Sequence, residues 1–305
     1  MSVNYRYDKA KAETQAAKAM GVIDRAGLVV SVGTNRNYMQ CLTQVAQWVK
    51  DNHLGDLRHL DIPTAAKYLE ERSAEVGQKT LDQHRQAIQA HLHATGVLER
   101  GETLEVTKSQ QETTLEHRAY TPEQVAAVAA AQNEKNAFST ELAYAAGLRA
   151  HELLTLRPIA EQPADVRHYE DGSVKSLETK WQGRDQGIAY SVVGKGGLTR
   201  EVRLPADLAA RLEERRLPEP RTVVDRNVRY EQHYDLAGGQ KWSNSFSAAS
   251  NRALGWSTGA HGLRHSYAQE RMAELSKVCN FDKALETVSQ EMGHFRPDIT
   301  TTYLR

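Results

Sequence analysis

The 305 residues hold 39 Lys+Arg against 39 Asp+Glu, with 40% hydrophobic and 26% charged residues, an ordinary globular composition and length enough for roughly two domains. Mean hydropathy is −0.63. No apolar run approaches the ~18 residues of a spanning helix, and residues 1–20 lack the apolar core of a secretory signal, so neither an integral membrane protein nor a secreted one is expected. Two cysteines, Cys41 and Cys279, argue against a disulfide scaffold or a cysteine-rich zinc site and fit a reducing, cytosolic setting. The charge balance holds in both parts of the chain, with 15 of each sign in residues 1–118 and 24 of each beyond. Any basic face must therefore be offset by an acidic one nearby, and nucleic-acid binding depends on where the charges sit.

In chain order, Asp8 to Met20 reads as a short helix that Gly21 could end. Tyr38, Cys41, Leu42, Val45, Trp48 and Val49 recur at helical spacing. Ala65, Ala66, Tyr68 and Leu69 predict another helix, with Pro63 in its first turn. Thr80 is expected to cap a further helix carrying Leu81, Ile88 and Leu92 and ending by Gly96. Residues 1–21 thus read as an N-terminal helical extension and 22–97 as a small helical domain. Residues 98–118, rich in Glu, Gln, Thr and Ser, read as an exposed linker. Thr121-Pro122-Glu123-Gln124 is a capping box opening a second domain over 119–305. Helices follow to Gly147, then a short one over Glu152 to Leu156. Ile188 to Val193 and Val202 to Leu204 flank a Gly-rich turn and predict a β-hairpin ended by Pro205. The remainder to Arg305 reads as mostly helical. The fold class is mainly α with a small antiparallel β-sheet.

Four places in the second domain carry candidate chemistry: Gly147-Leu148-Arg149-Ala150-His151-Glu152-Leu153, Gly194-Lys195-Gly196-Gly197, His261-Gly262-Leu263-Arg264-His265, and Met292-Gly293-His294 followed by Tyr303. Each has an ordinary structural reading by itself. Arg149 could pair with Glu152 at i, i+3, Lys195 could be a solvated loop lysine, His294 could sit at a helix C-terminus, and Tyr303 could be packed. Together, two guanidiniums, a lysine, two histidines and a tyrosine make a cationic pocket. Guanidiniums match phosphate oxygens bidentately, and fixed donors stabilise the charge that builds when a phosphodiester is attacked. A phenol, with an ordinary pKa near 10, needs such surroundings to act as a nucleophile. No carboxylate cluster suited to Mg²⁺ and no zinc spacing is present in the sequence, so the inventory predicts phosphoryl transfer without a metal or other cofactor.

Those four stretches, in order and spacing, resemble the tyrosine recombinase (phage integrase) family over residues about 118–305. Residues 22–97 resemble its core DNA-binding domain more loosely, through their helical layout. The resemblance implies a site-specific DNA recombinase that acts on mobile DNA for integration, excision or resolution, in the cytoplasm or nucleoid of a bacterial cell. Tyr303 would form a 3′-phosphotyrosyl link, Arg149 and Arg264 would clamp the non-bridging oxygens, and Lys195 would protonate the 5′-leaving oxygen. His261 would assist proton transfer, His294 would hydrogen-bond the phosphate, and Glu152 would support the pocket by orienting an arginine. The implied partners are double-stranded DNA carrying recombination sites, three further protomers in a homotetramer, and accessory DNA-bending proteins. Lys79, Arg85 and Gln86, on or beside the Thr80 helix, are DNA-contact candidates, with a solvated face as the equal alternative.

The chain stops two residues beyond Tyr303, where family members often carry a segment that docks on a neighbouring protomer. Arg157 to Arg184 is longer and more polar than a minimal link and reads as a surface insertion. The first ~30 residues read as too few for a conventional separate arm-DNA-binding domain, though a helical extension there could pack on a partner. Two other activities fit the same residues: type IB topoisomerase-like relaxation of DNA, and DNA binding without catalysis.

Overall fold

A computed structural model describes residues 10–29, 31–112, 117–168, 171–174 and 177–305. Asp8, where the first helix is expected to begin, and residues 113–116 of the expected linker lie outside these. The chain divides into two units, Met1–Thr114 and Leu115–Arg305.

The first unit is helical. Helix α1 (Ala12–Arg25) runs through Gly21, because its buried stripe of Ala12, Ala16, Ala19 and Met20 continues to Ile23. Packing of that stripe outweighs the ~1 kcal/mol that an interior glycine costs, and the boundary expected at 21/22 falls inside the helix. In α2 (Val32–Asp51) the Ser31 side chain accepts from the Thr34 amide, and Cys41, Leu42, Val45, Ala46 and Val49 form the buried face. Helix α3 (Ile62–Ser73) is capped by Asp61 and holds Pro63 in its first turn. Helix α4 (Gln78–Thr95) starts after Gly77, with Thr80 inside the first turn rather than at the cap, and ends at Gly96 in the left-handed region. Residues 98–112 return along this unit: Leu98 and Leu104 are buried, the Gln110 amide donates to the Ser73 carbonyl and Ser109 Oγ to that of Val76. Their polar composition belongs to the side left in solvent.

In the second unit the Thr121/Gln124 capping box forms as the sequence predicts and opens α5 (Pro122–Ala130). Helix α6 (Glu134–Ala145) leads to the Gly147 turn and a short 3₁₀ turn, Glu152–Leu154. Strands β1 (Arg157–Pro158), β2 (Ile188–Val193) and β3 (Thr199–Leu204) form an antiparallel sheet in that order. After α7 (Ala206–Glu213) comes an element the sequence did not reveal. Strands β4 (Arg216–Asp225) and β5 (Val228–Tyr234) pair in a second hairpin where helix was expected. Its turn residues Arg226 and Asn227 adopt φ 49° and 66° without a glycine, and β4 is mostly exposed and contains two prolines. Neither the usual turn signal nor an apolar alternation therefore marked it. Helices α8 (Gly239–Leu254), α9 (Gly262–Leu275), α10 (Phe281–Glu291) and α11 (Pro297–Thr301) complete the unit.

The core of this unit joins α5, α6 and α8 to the inner face of the three-stranded sheet through Val128, Phe138, Val192, Leu204, Trp242 and Phe246. The 157–184 stretch is not wholly a surface insertion: Thr179 and Trp181 are buried, and Arg184 pairs with Glu274 at 2.9 Å. The architecture is mainly α with small antiparallel sheets, as the sequence predicts. No helix of the described residues is long and apolar enough to cross a membrane.

Candidate active site

Tyr303 follows α11, with its amide donating to the Thr300 carbonyl. Gln269 Nε2 on α9 donates to the Tyr303 carbonyl at 3.2 Å and to that of Arg305 at 3.0 Å. These bonds fix the end of the chain against α9, the helix whose start carries His261, Arg264 and His265. Tyr303 is 8% exposed. Its hydroxyl lies 3.1 Å from His261 Nε2. Its ring centroid is 5.0 Å from that of His294 and 4.8 Å from that of His265, and the Arg264 guanidinium carbon stands 5.7 Å from the centroid.

Arg264 is fully buried. Its guanidinium donates to the Gly147 carbonyl through Nη1, and through Nη2 to the Met292 carbonyl and His294 Nε2, both at 3.1 Å. Its Nε is buried and makes no hydrogen bond among the described residues. Because arginine only donates, His294 Nε2 must accept, which leaves the ring proton on Nδ1 to donate to Thr300 Oγ1 at 3.3 Å. Both nitrogens of His294 thus have partners within the protein, so a bond to phosphate requires exchanging one of them.

Burial, then the guanidiniums of Arg264 and Arg149, hold His294 down to about 3. Burial, then Arg264, His265 and Arg149, also hold His261 below its ordinary range. A neutral His261 can accept the phenol proton. Burial lowers Arg264 to about 10, with Arg149 adding to it and Glu152 opposing; the side chain stays cationic at neutral pH.

Glu152 is the carboxylate of this cluster, and it is completely buried. Oε1 accepts from Arg149 Nη1 at 2.7 Å, and Oε2 accepts from the Arg149 amide at 2.8 Å and Arg200 Nη2 at 2.7 Å. Arg264 Nη1 lies 3.8 Å away. Burial works to raise its pKa, and the Arg200, Arg264 and Arg149 charges outweigh that, holding the carboxyl well below the usual range. Arg149 is partly exposed, and among the described residues its Nε and Nη2 have no protein acceptor. Lys195, at the exposed tip between β2 and β3, makes no hydrogen bond or ion pair among the described residues. Lys195, Arg149, Arg200, His294 and Arg296 line a cleft of about 420 Å³.

The structure therefore gathers Arg149, Glu152, His261, Arg264, His294 and Tyr303 in one cluster, with Lys195 on the rim of the adjoining cleft. Gly262 allows the His261–Arg264 turn: a Cβ there would stand 2.4 Å from the Tyr120 ring and 2.5 Å from the Arg118 carbonyl oxygen. Among the described residues no group of three or more His, Cys, Asp or Glu could hold a metal ion. The other candidates sit on α4 of the first unit. Lys79 and Gln86 are exposed and line a shallow hollow, whereas Arg85 is turned inward to the Leu104 carbonyl at 3.2 Å.

The sequence reading missed Arg200. Strand alternation puts it on the same buried face as Val202 and Leu204, and a charged residue on a buried face needs a partner. It also missed the ion pair behind the cluster. Arg271 engages Glu291 at 2.7 and 2.8 Å, and Tyr267 Oη donates to the same carboxylate at 2.9 Å.

No family profile and no curated protein sequence matches this chain. Solved structures do. A lambda integrase tetramer bound to a Holliday junction superposes with a TM-score of 0.58 at 16% identity, over 99% of this chain and 80% of that one. The XerH site-specific recombinase in a post-cleavage complex with palindromic difH gives 0.57 at 15%, over 95% and 81%. The Tn1549 transposon integrase with circular intermediate DNA gives 0.52 at 14%, over 97% and 95%. The fold is that of the tyrosine recombinases.

Proposed function

We propose that the chain is a site-specific recombinase that cleaves and rejoins double-stranded DNA through a phosphotyrosine. The observation that carries this reading is the 3.1 Å approach of the Tyr303 hydroxyl to His261 Nε2 beside the buried Arg264 guanidinium. Tyr303 Oη attacks the scissile phosphorus while its proton passes to neutral His261. The bond from phosphorus to the 5′ oxygen breaks, and Lys195 donates a proton to that oxygen. Arg149, through Nε and Nη2, meets the non-bridging oxygens, and Arg264 offers its remaining Nε donor behind them, so the charge that builds on the oxygens of the pentacoordinate phosphorus is met by fixed donors. A 5′-hydroxyl of a partner strand then attacks the phosphotyrosine, restoring the phenol and conserving the bond. The solved relatives in fold are complexes with DNA. The first unit serves to hold the duplex, with Lys79 and Gln86 of α4 as candidate contacts and protomers assembling as a tetramer on two sites.

The test uses a nicked duplex whose sequence the chain itself has enriched from a random pool. The chain is expected to become covalently attached to it, and Tyr303→Phe to bind it equally and form no adduct. An adduct that persists in Tyr303→Phe would remove Tyr303 as the nucleophile.

A further inference from the structure

Arg200 has no counterpart among the groups that face the cleaved bond, yet it lies nine-tenths buried at the back of their cleft. Its donors are taken up by the protein. Nη2 donates to Glu152 Oε2 at 2.7 Å and to the Gly147 carbonyl at 3.4 Å, Nε reaches Glu152 Oε1 at 3.5 Å, and Nη1 donates to the Glu291 carbonyl at 2.7 Å. It is therefore not built as a phosphate ligand. These acceptors belong to two different turns. Gly147 and Glu152 frame Arg149, and Glu291 closes α10 just before His294. Arg200 itself is on β3, the strand that leaves the Lys195 tip.

The close fit is visible from the opposite side. A Cβ on Gly293 would come within 2.8 Å of Arg200 Cδ, so the Gly293-His294 turn is shaped around this side chain. Each of the two turns keeps a second guanidinium if Arg200 is lost. Arg149 remains on Glu152, and Arg264 remains on the Gly147 and Met292 carbonyls. The side-chain tie that disappears is the one between the lysine hairpin and both turns.

We infer that Arg200 is a positioning residue for proton donation, fixing the Lys195 hairpin against the Arg149 and His294 turns; this rests on the DNA-cleaving reading of the cleft. Lysine at a Gly-Lys-Gly-Gly tip has no partner of its own among the described residues, and a general acid must stand within hydrogen-bond reach of the leaving oxygen. Loosening the base of the hairpin should therefore affect the protonation of the leaving group more than the attack on phosphorus.

The experiment compares two nicked duplexes of the enriched sequence, one ordinary and one with sulfur in place of the bridging 5′ oxygen at the cleaved phosphate. A departing thiolate needs no proton. The full chain carrying Arg200→Met is expected to bind both duplexes as the parent does. It should form the covalent adduct about 100-fold more slowly on the ordinary duplex, within the ~10²–10⁴ range of general-acid effects, and within about threefold of the parent rate on the sulfur duplex. Lys195→Ala should show the same selective recovery. Arg200→Lys keeps the charge beside Glu152 but loses the fork, and should fall between, with the same recovery; it carries the test if Arg200→Met does not fold. Equal losses on both duplexes, or a parental rate on the ordinary one, would overturn the inference. If the parent forms no adduct on either duplex, it is the DNA-cleaving reading that fails.

Discussion

Replacing Glu152 by Gln tests the electrostatic design of the cluster with almost no change of shape. Glu152 accepts from Arg149 twice and from Arg200 Nη2, all within 2.8 Å, with Arg200 Nε at 3.5 Å and Arg264 Nη1 at 3.8 Å. Glutamine keeps one acceptor oxygen and turns an NH₂ toward one of these donors. Charged hydrogen bonds contribute about 1.5–3 kcal/mol each, and removing one partner of a buried ion pair costs about 3–5 kcal/mol. Glu152→Gln should therefore destabilise the chain by about 4 kcal/mol, which for a unit of this size lowers the melting temperature by about 10 °C. The loss arises from guanidiniums left without a countercharge, so it should shrink when one is removed. In a double-mutant cycle with Arg200→Met, followed by circular dichroism against temperature and urea, the double variant should be at least about 1 kcal/mol more stable than the two single losses added together. A Glu152→Gln protein within about 1 kcal/mol of the parent, or strictly additive losses, would refute the argument.

The first unit should be acid-sensitive through His84, whose Nδ1 lies 2.8 Å from Tyr68 Oη in the core. Burial, then Arg72, lowers its pKa to about 4, whereas in the unfolded chain it is near 6.5. Between these values the unfolded state binds more protons, so the stability present above pH 6.5 falls as pH drops toward 4, by up to about 1.4 kcal/mol per pH unit. His84→Gln should flatten the pH dependence of urea unfolding over that window; identical slopes would exclude His84 as a source. Gly262→Ala should lower stability by about 1–3 kcal/mol through overpacking against Tyr120 and the Arg118 carbonyl, and a thermal melt unchanged from the parent would contradict it. On the proposed mechanism arginine and lysine would supply the positive charge at the phosphate, so covalent trapping should be insensitive to EDTA; a requirement for Mg²⁺ in the trapping assay would show otherwise.

What the sequence determined by itself was the local chemistry and the local geometry. The capping box at Thr121, the apolar stripes of the helices and the turns with glycine were legible because each depends on residues a few positions apart. Arg149, His261, Arg264, His294 and Tyr303 were legible as a set because their residue types and order make sense together for phosphate chemistry. Tertiary structure decided what those groups are free to do. Arg264 is enclosed and bonded to the Gly147 and Met292 carbonyls, His294 has both nitrogens engaged, and Arg149 keeps donors at the cleft that are unbonded among the described residues. Arg200 escaped notice because its meaning lies in acceptors 48 and 91 residues away. The β4–β5 hairpin escaped for a related reason: contacts such as that of the Asp225 carboxylate with the Gln240 amide hold its tip. Burial and long-range pairing set the strength and the availability of a charge, and neither is a property of the residue or its neighbours in sequence.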